Sequence, residues 1–521
     1  MSLHKKVFLS LLTGILFGIS FPPNQFGIIS CIAFVPLFIL LDNLNGFKST
    51  IRFLYLTFFT ASIFALYWVG GFTHHKDIYL MLAGASLLFF QPFVLMLPFW
   101  IYILISKWNN KNVALLFFPA IAVTFEWLYT FSEFAFPWML LGNTLTYEFD
   151  KIQFIEITGV YALSFWVMSL NVLIYYFLIN LSNYNFKKKL KFKFAILFIF
   201  FAPNFYKSDF SPNYKNEIKV GIIQPNIDPW EKWSPAIDDR WNDLISILPN
   251  LNKSDSIDIY ILPESAITYD LLKFDFMKYN LSSMLEDANS TLLSGFVKVQ
   301  YQNKNEATVT SNYIESLNKY YESYNSIFYL NPKNSEVETY SKIRLVPFAE
   351  RIPFAETFSF LIKPIAWGIG ISNWGKGKDT TIFKFKDSRF ASLVCYESIF
   401  PEFISKFVKK GAEFIIIVTN DSWYDDSAGP IQHNRFAILR AIENRRWIVR
   451  CANGGISSII SPKGEIISQT KMFDKTILKG NIYSEKNQTF YSKHGDWFVY
   501  SSVIISILVL LFSFIKKYFH D

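Results

Sequence analysis

Three polar residues in the second half of the chain stand where apolar runs end. Glu264 closes IDIYILPE, Cys395 closes RFASLVC, and Lys342 comes just ahead of LVPFAERIP. Folds that alternate strands with helices place their sites at such strand ends. Singly, none is diagnostic: a buried Cys is usually a small hydrophobe, and a loop Lys or a Glu after a strand is usually solvated. Together they suffice for covalent acyl transfer. A free thiol is only a few per cent thiolate at neutral pH and needs a neighbouring base. A carboxylate such as Glu264 takes that proton if burial raises its pKa. The carbonyl under attack then develops negative charge, which an ammonium and a backbone N–H stabilise; losing one such donor costs about 3–4 kcal/mol. No histidine is required. His433 and His494 are the histidines of this region, and neither has metal-ligand spacing, so no metal is expected. The composition points to no other cofactor. Cys451, inside the apolar run RWIVRCANGG with no adjoining acid, is the rival thiol and reads as packing.

These residues need a scaffold. From about 217 to 485 the chain carries short β-branched runs ending in turn residues: IKVGIIQPN, IDIYILPES, STLLSGFV, NSIFYL, RFASLVCYES, AEFIIIVTND, RWIVRCANGG and GISSIISPKGEII. Amphipathic helical patterns fall between them at 236–250, 398–410 and 431–446. Continuous apolar strands alternating with helices predict a sheet covered by helices on its outer face. The stretch 300–325, rich in Tyr, Asn, Ser and Lys, reads as a surface loop or hairpin excursion.

The first half has another texture. Hydrophobic residues make up 51% of the 521-residue chain, and 56 residues are Phe. The formal charge of +8 is clustered beside apolar runs, which favours a membrane over a nucleic acid as partner. Three cysteines are too few for a disulfide framework. A span needs about 20 mostly apolar residues, and the runs 6–21, 25–42, 51–70, 78–106, 113–131, 155–181, 192–206 and 497–515 are read as spans. The first is followed by Phe21-Pro22-Pro23 rather than a cleavage site, so it reads as retained. Lys5 and Lys6, Lys48 and Arg52, Lys107 and Lys111, the run Lys187 to Lys193, and Lys516 with Lys517 fall on alternate connections. The other connections carry little beyond Lys76 and Lys151, and one is acidic, with Glu133, Glu148 and Asp150. Both termini are therefore expected in the cytoplasm, and the insertion between the last two spans outside it. The organisation expected is a membrane domain over 1–210 with seven spans, a catalytic domain over 217–485, and an eighth span over 497–515. Glu126, an acid inside the fifth span, is a functional candidate or a packing residue.

PES with Glu264, KIRLVPFAERIP with Lys342 and Glu350, and VCYES with Cys395 resemble the Glu-Lys-Cys triad of the nitrilase, or carbon–nitrogen hydrolase, superfamily. FEWL around Glu126, FPWMLLGNTL, ITGVYALSFW, QPNIDPWEKW, TNDSWYDDSAGPIQHNRFAILRAIENRR and HGDW are similar to motifs of its membrane-bound branch, the apolipoprotein N-acyltransferases, so the resemblance covers nearly the whole chain. It implies an α-helical polytopic membrane domain plus an α/β nitrilase-like domain, an α-β-β-α sandwich. It implies Glu264 as general base, Lys342 as oxyanion stabiliser and Cys395 as nucleophile. Glu350, Tyr396, Glu397 and Trp233 match supporting or substrate-binding positions. Where the family shows FGEYVP around its second acid, Ala349 and Arg351 stand here. The implied reaction takes an acyl chain from a phospholipid, keeps it as a thioester, and passes it to a diacylglyceryl lipoprotein amine. The implied setting is a bacterial inner membrane, with the catalytic domain periplasmic; dimerisation is common among soluble nitrilase relatives, but eight spans would block it, so a monomer is expected. Trp367, Trp374 and Trp423 are read either as a lipid-facing mouth or as packing. A membrane-tethered amidase and a non-catalytic scaffold or transporter are the rival readings.

Overall fold

The computed structural model describes residues 1–71, 77–233, 256–334, 337–357, 359 and 373–519. The chain divides into a unit of Met1–Phe210 with Thr489–Asp521 and a unit of Ser211–Gln488.

The first unit is helical. Among the described residues, five of its helices are long and apolar enough to cross a membrane: Phe47–Leu66, Ile78–Trp108, Lys111–Tyr129, Tyr161–Ile179 and Trp497–Tyr518. The other three expected spans are helical but shorter, each for a local reason. Leu3–Ile19 stops ahead of Phe21-Pro22-Pro23, since the residue before a proline disfavours helical backbone. The run 25–42 is broken into Gly27–Ile29, Ser30–Ala33 and Val35–Leu41, with Pro36 opening the last piece. Phe186–Phe201 starts just ahead of the lysine run because the Asn185 side chain caps it, accepting from the Lys188 N–H at 2.9 Å, and it ends before Pro203.

Two polar side chains inside this unit bond to backbone where its helices break. Asn171 accepts from Phe34 N–H at 2.7 Å and donates to Ser30 carbonyl at 2.8 Å, satisfying the broken run where its helix is interrupted. Glu126 Oε1 accepts from Leu141 N–H at 2.8 Å, tying its helix to the segment after FPWM. Gly159 sits at φ +72°, and a Cβ there would lie 2.4 Å from the Tyr491 ring. Only glycine fits that approach.

The second unit holds two sheets. One contains β1 (Tyr214–Gln224), β2 (Ile259–Ile261), β3 (Thr291–Gln302), β4 (Asn312–Ile314), β5 (Lys319–Leu330), β6 (Glu338–Ser341) and β13 (Thr476–Glu485), in the order β13-β1-β2-β3-β5-β4 with β6 also on β5. The other contains β7 (Phe383–Phe385), β8 (Ser388–Val394), β9 (Phe414–Thr419), β10 (Ile448–Ala452), β11 (Ser458–Ile460) and β12 (Ile466–Gln469), in the order β12-β11-β10-β9-β8-β7. Each has a parallel centre, β1-β2-β3 and β8-β9-β10, flanked by antiparallel strands. Parallel centres must be covered on both faces, which explains their unbroken apolar runs. Helix Asp275–Ala288 covers the first sheet through Met277, Leu281 and Leu285. Helices Pro401–Lys409 and Ala428–Asn444 cover the second. The inner faces meet, with Tyr329 of β5 edge-on to Phe390 of β8 at 5.2 Å. This is the expected α-β-β-α sandwich. The excursion at 300–325 is a hairpin that extends β3 and β5 and carries β4. The helical pattern at 236–250 lies outside the described residues.

Candidate active site

The parallel centres of the two sheets, through β2 and β8, and the antiparallel strand β6 deliver three chain ends to one place. Past β2, Leu262 N–H still pairs with Leu293 carbonyl at 2.9 Å, and Pro263 turns the chain so that Glu264 follows. That turn lies against Gly295 of β3. A Cβ at 295 would stand 2.5 Å from Pro263 O and Ser265 N and 2.7 Å from Glu264 Cα, so glycine permits the approach. Past β8, Cys395 adopts φ +49°, a left-handed backbone that non-glycine residues hold only when the surroundings impose it. Past β6, Lys342 is fixed on both sides, its N–H to Asn325 carbonyl at 2.9 Å and its carbonyl to Gly377 N–H at 2.8 Å.

The side chains of Glu264 and Lys342 join Glu350 and Asn325 in one buried network, and the half-buried Cys395 thiol lies near enough to feel the Glu264 and Lys342 charges. Lys342 Nζ lies 2.8 Å from Glu350 Oε1 and 3.4 Å from Glu264 Oε1, and the lysine is only 1% exposed. Asn325 Nδ2 donates to Glu264 Oε1 at 2.7 Å and to Glu350 Oε1 at 3.1 Å. Glu264 Oε2 accepts from Asn420 N–H at 2.9 Å, and Glu350 Oε2 accepts from Val346 N–H at 2.8 Å. Burial on its own lowers the Lys342 pKa, but the carboxylates of Glu350 and Glu264 outweigh it and hold the ammonium above its usual value. The Cys395 thiol is pushed up, first by burial and then by the Glu264 charge; Lys342 and the Thr419 hydroxyl act the other way. A thiol held neutral in this way would have to lose its proton to act as a nucleophile. That is the task of a general base rather than of a preformed ion pair.

The structure therefore brings Glu264, Lys342, Glu350 and Cys395 together. Glu397 has another place. It is fully buried, accepting from Val394 N–H at 2.9 Å, Tyr340 hydroxyl at 2.7 Å, Ile343 N–H at 2.7 Å and Arg344 N–H at 3.1 Å. Burial raises its pKa and these donors oppose the rise. Glu397 is a strap between the turn of Cys395 and the segment of Lys342. Tyr396 is buried and packs edge-on to Phe400 at 5.1 Å. Trp233 lies 6.3 Å from Trp374, which is itself buried, while Trp423 is half-buried and packs on Trp230 at 5.1 Å. Trp367 lies outside the described residues. Arg351, where the family pattern has an aromatic, donates to Trp374 carbonyl at 3.1 Å and Thr310 hydroxyl at 3.2 Å, joining the loop of Glu350 to the β3–β5 excursion. Cys451 is wholly buried between the sheets, its Sγ 3.4 Å from the carbonyls of Ile223 and Ile261.

Several residues escaped the sequence reading. Asn325 opens an otherwise apolar run, a polar residue at an inward position. Lys232 is buried beside the site, donating to Ser265 carbonyl at 3.3 Å, and burial lowers its pKa to about 8. Cys395, Asp421 and His433 present donor atoms within 4.8 Å of one another, a grouping that their sequence spacing hides. The donor types suit a metal ion, but the Arg450 guanidinium already pairs with Asp421 and lies 3.0 Å from His433 Nδ1, so a cation would meet its charge.

Residues 219–490 match the carbon-nitrogen hydrolase family, and residues 13–173 match the apolipoprotein N-acyltransferase N-terminal domain. The chain is 31% identical to the apolipoprotein N-acyltransferase of Chlorobaculum tepidum, over 99% of this chain and 98% of that protein. It is 28% identical to the one of Geobacter metallireducens, over 99% and 97%. Among solved structures it is similar to Saccharomyces cerevisiae Nit3, a nitrilase superfamily member, at 16% identity and a TM-score of 0.37, covering 52% of this chain and 91% of that one.

Proposed function

The chain belongs to the apolipoprotein N-acyltransferase family, and on that footing we propose that it moves a fatty acyl chain from a phospholipid to the N-terminal amine of a diacylglyceryl-cysteine apolipoprotein through a thioester on Cys395. The observation that carries the mechanism is the convergence of Glu264, Lys342 and Cys395 from three strand ends, with the thiol in reach of the charges of the buried Glu264–Lys342 pair.

Glu264 takes the thiol proton as sulfur bonds to the ester carbon. The carbonyl oxygen becomes an oxyanion beside the Lys342 ammonium, which its two carboxylate partners keep charged. Collapse breaks the ester C–O bond, and the leaving lysophospholipid oxygen receives the proton from Glu264. The lipoprotein α-amine then attacks the thioester, Glu264 takes its proton, and the amide forms as the Cys395 sulfur leaves and is reprotonated. Both half-reactions use one base and one oxyanion stabiliser, as microscopic economy of a ping-pong path requires. Glu350 holds Lys342, and Glu397 holds the spacing between Lys342 and Cys395. All these residues come from a single chain, so a monomer suffices. With phospholipid and a diacylglyceryl lipopeptide both supplied, N-acylated lipopeptide is expected to form faster than free fatty acid. Fatty acid released at one rate with or without lipopeptide would instead mean a hydrolase.

The charge pattern of the connections supports an inner-membrane setting with residues 217–485 on the periplasmic side. Lys304→Cys places a thiol at an exposed position of the excursion. A membrane-impermeant maleimide added to cells with a permeabilised outer membrane is expected to label it. Labelling only after the inner membrane is broken would put this unit in the cytoplasm.

A further inference from the structure

The backbone of Cys395 is strained at φ +49° and its thiol feels the charges of both Glu264 and Lys342, so something has to hold its peptide. On the N-terminal side that is Glu397, through Val394 N–H. On the C-terminal side the Cys395 carbonyl meets two groups: the Ser398 hydroxyl donates to it at 2.7 Å, and His433 Nε2 lies 3.2 Å away. Because a carbonyl oxygen only accepts, the contact is a bond when Nε2 carries the hydrogen. Ser398 Oγ and His433 Nε2 are themselves 2.9 Å apart, closing a three-membered cluster.

The other edge of the ring is clamped. His433 Nδ1 lies 2.9 Å from Asp421 Oδ1 and 3.0 Å from Arg450 Nη2. Arg450 Nη2 also pairs with Asp421 Oδ2, and the Thr419 hydroxyl donates to Asp421 Oδ1 at 3.0 Å. His433, Asp421 and Arg450 are 3%, 3% and 0% exposed. Three buried ionisable groups in one place are costly unless each is satisfied. Here both Asp421 oxygens are met, and the ring held between Asp421 and Arg450 presses on the nucleophile's own carbonyl.

We propose that His433, clamped by Asp421 and Arg450, is a positioning residue that fixes the Cys395 peptide and so aims the thiol between Glu264 and Lys342. This rests on Cys395 being the nucleophile. His433 touches no substrate in this role and acts through the Cys395 carbonyl.

The test is single-turnover acylation of the full-length enzyme by phospholipid, normalised to folded protein, with KM read separately. His433→Ala is expected to slow thioester formation on the order of 100-fold, the effect of a misplacement of about 1 Å, while KM for the phospholipid stays put. His433→Gln, whose amide offers an N–H near the position of Nε2, is expected to recover much of that loss. Should His433→Ala not fold, Ser398→Ala carries the test, with slower acylation expected at unchanged KM and unchanged thermal midpoint. Wild-type acylation rates in the folded His433→Ala protein would overturn the inference, as would a loss expressed in KM, or a Gln variant no better than Ala. For Ser398→Ala, an unaltered rate does the same. If the wild-type protein itself forms no thioester, the assignment of Cys395 fails and this inference with it; if the wild type acylates and the variants match it, only the inference fails.

Discussion

Cys395→Ala is expected to abolish acyl-enzyme formation and lipopeptide N-acylation together, by a factor on the order of a million, as when the nucleophile of a triad enzyme is removed. The residual rate has no covalent route, because the only other thiol of this unit, Cys451, is wholly buried between the sheets. The fold is expected to survive. The change deletes one sulfur atom and leaves Glu397, Ser398 and His433 bonded to the backbone around position 395. Circular dichroism and the thermal midpoint of the detergent-solubilised protein check this alongside the kinetics. A Cys395→Ala protein that still carries labelled acyl chain in a thioester would show that another cysteine is the nucleophile.

Lys342→Met is expected to damage both stability and catalysis, for one electrostatic reason. The ammonium lies between two buried carboxylates, 2.8 Å from Glu350 and 3.4 Å from Glu264. Removing one partner of a buried ion pair typically costs about 3–5 kcal/mol, because the other charge is left uncompensated. The same ammonium is the donor proposed for the oxyanion, whose loss costs about 3–4 kcal/mol in the transition state. The two effects separate in a double variant. Adding Glu350→Gln to Lys342→Met removes one stranded charge and is expected to return part of the lost stability while leaving acyl transfer as low as in the single variant. Restoration of transfer by the second change would mean that Lys342 acts only by holding the fold.

The layout of the sandwich was legible because its strands write themselves as apolar runs. FIIIVT and RFASLV are buried on both faces of a parallel centre, and a run without alternation says so. Glu264, Lys342 and Cys395 were legible because each interrupts or closes such a run, and because the motifs around them resemble a known family. The span lengths were less so. Hydropathy counts apolar residues, but helix ends follow local chemistry: the Asn185 cap moves one start back ahead of the lysine run, and Pro36 divides another run. The polar shell of the site was hidden for a different reason. Asn325 bridges Glu264 and Glu350 across 61 and 25 residues of chain, and His433 reaches Cys395 across 38. Those partners are chosen by sheet register and by the stacking of two sheets, which no local window contains. Arg450 was the visible trace of it, a charge set in the middle of an apolar strand. Such a residue must be paired in the interior, and its partner is Asp421.

The central claim is a covalent acyl-enzyme on Cys395, and intact-protein and peptide mass spectrometry after incubation with a defined phospholipid tests it most directly. The expected result is a fatty-acyl mass on the peptide containing Cys395, labile to hydroxylamine, that disappears as diacylglyceryl lipopeptide is added and N-acylated product accumulates. N-acylated product formed with no acyl mass on Cys395 at any time, or acyl mass on a different residue, would contradict it.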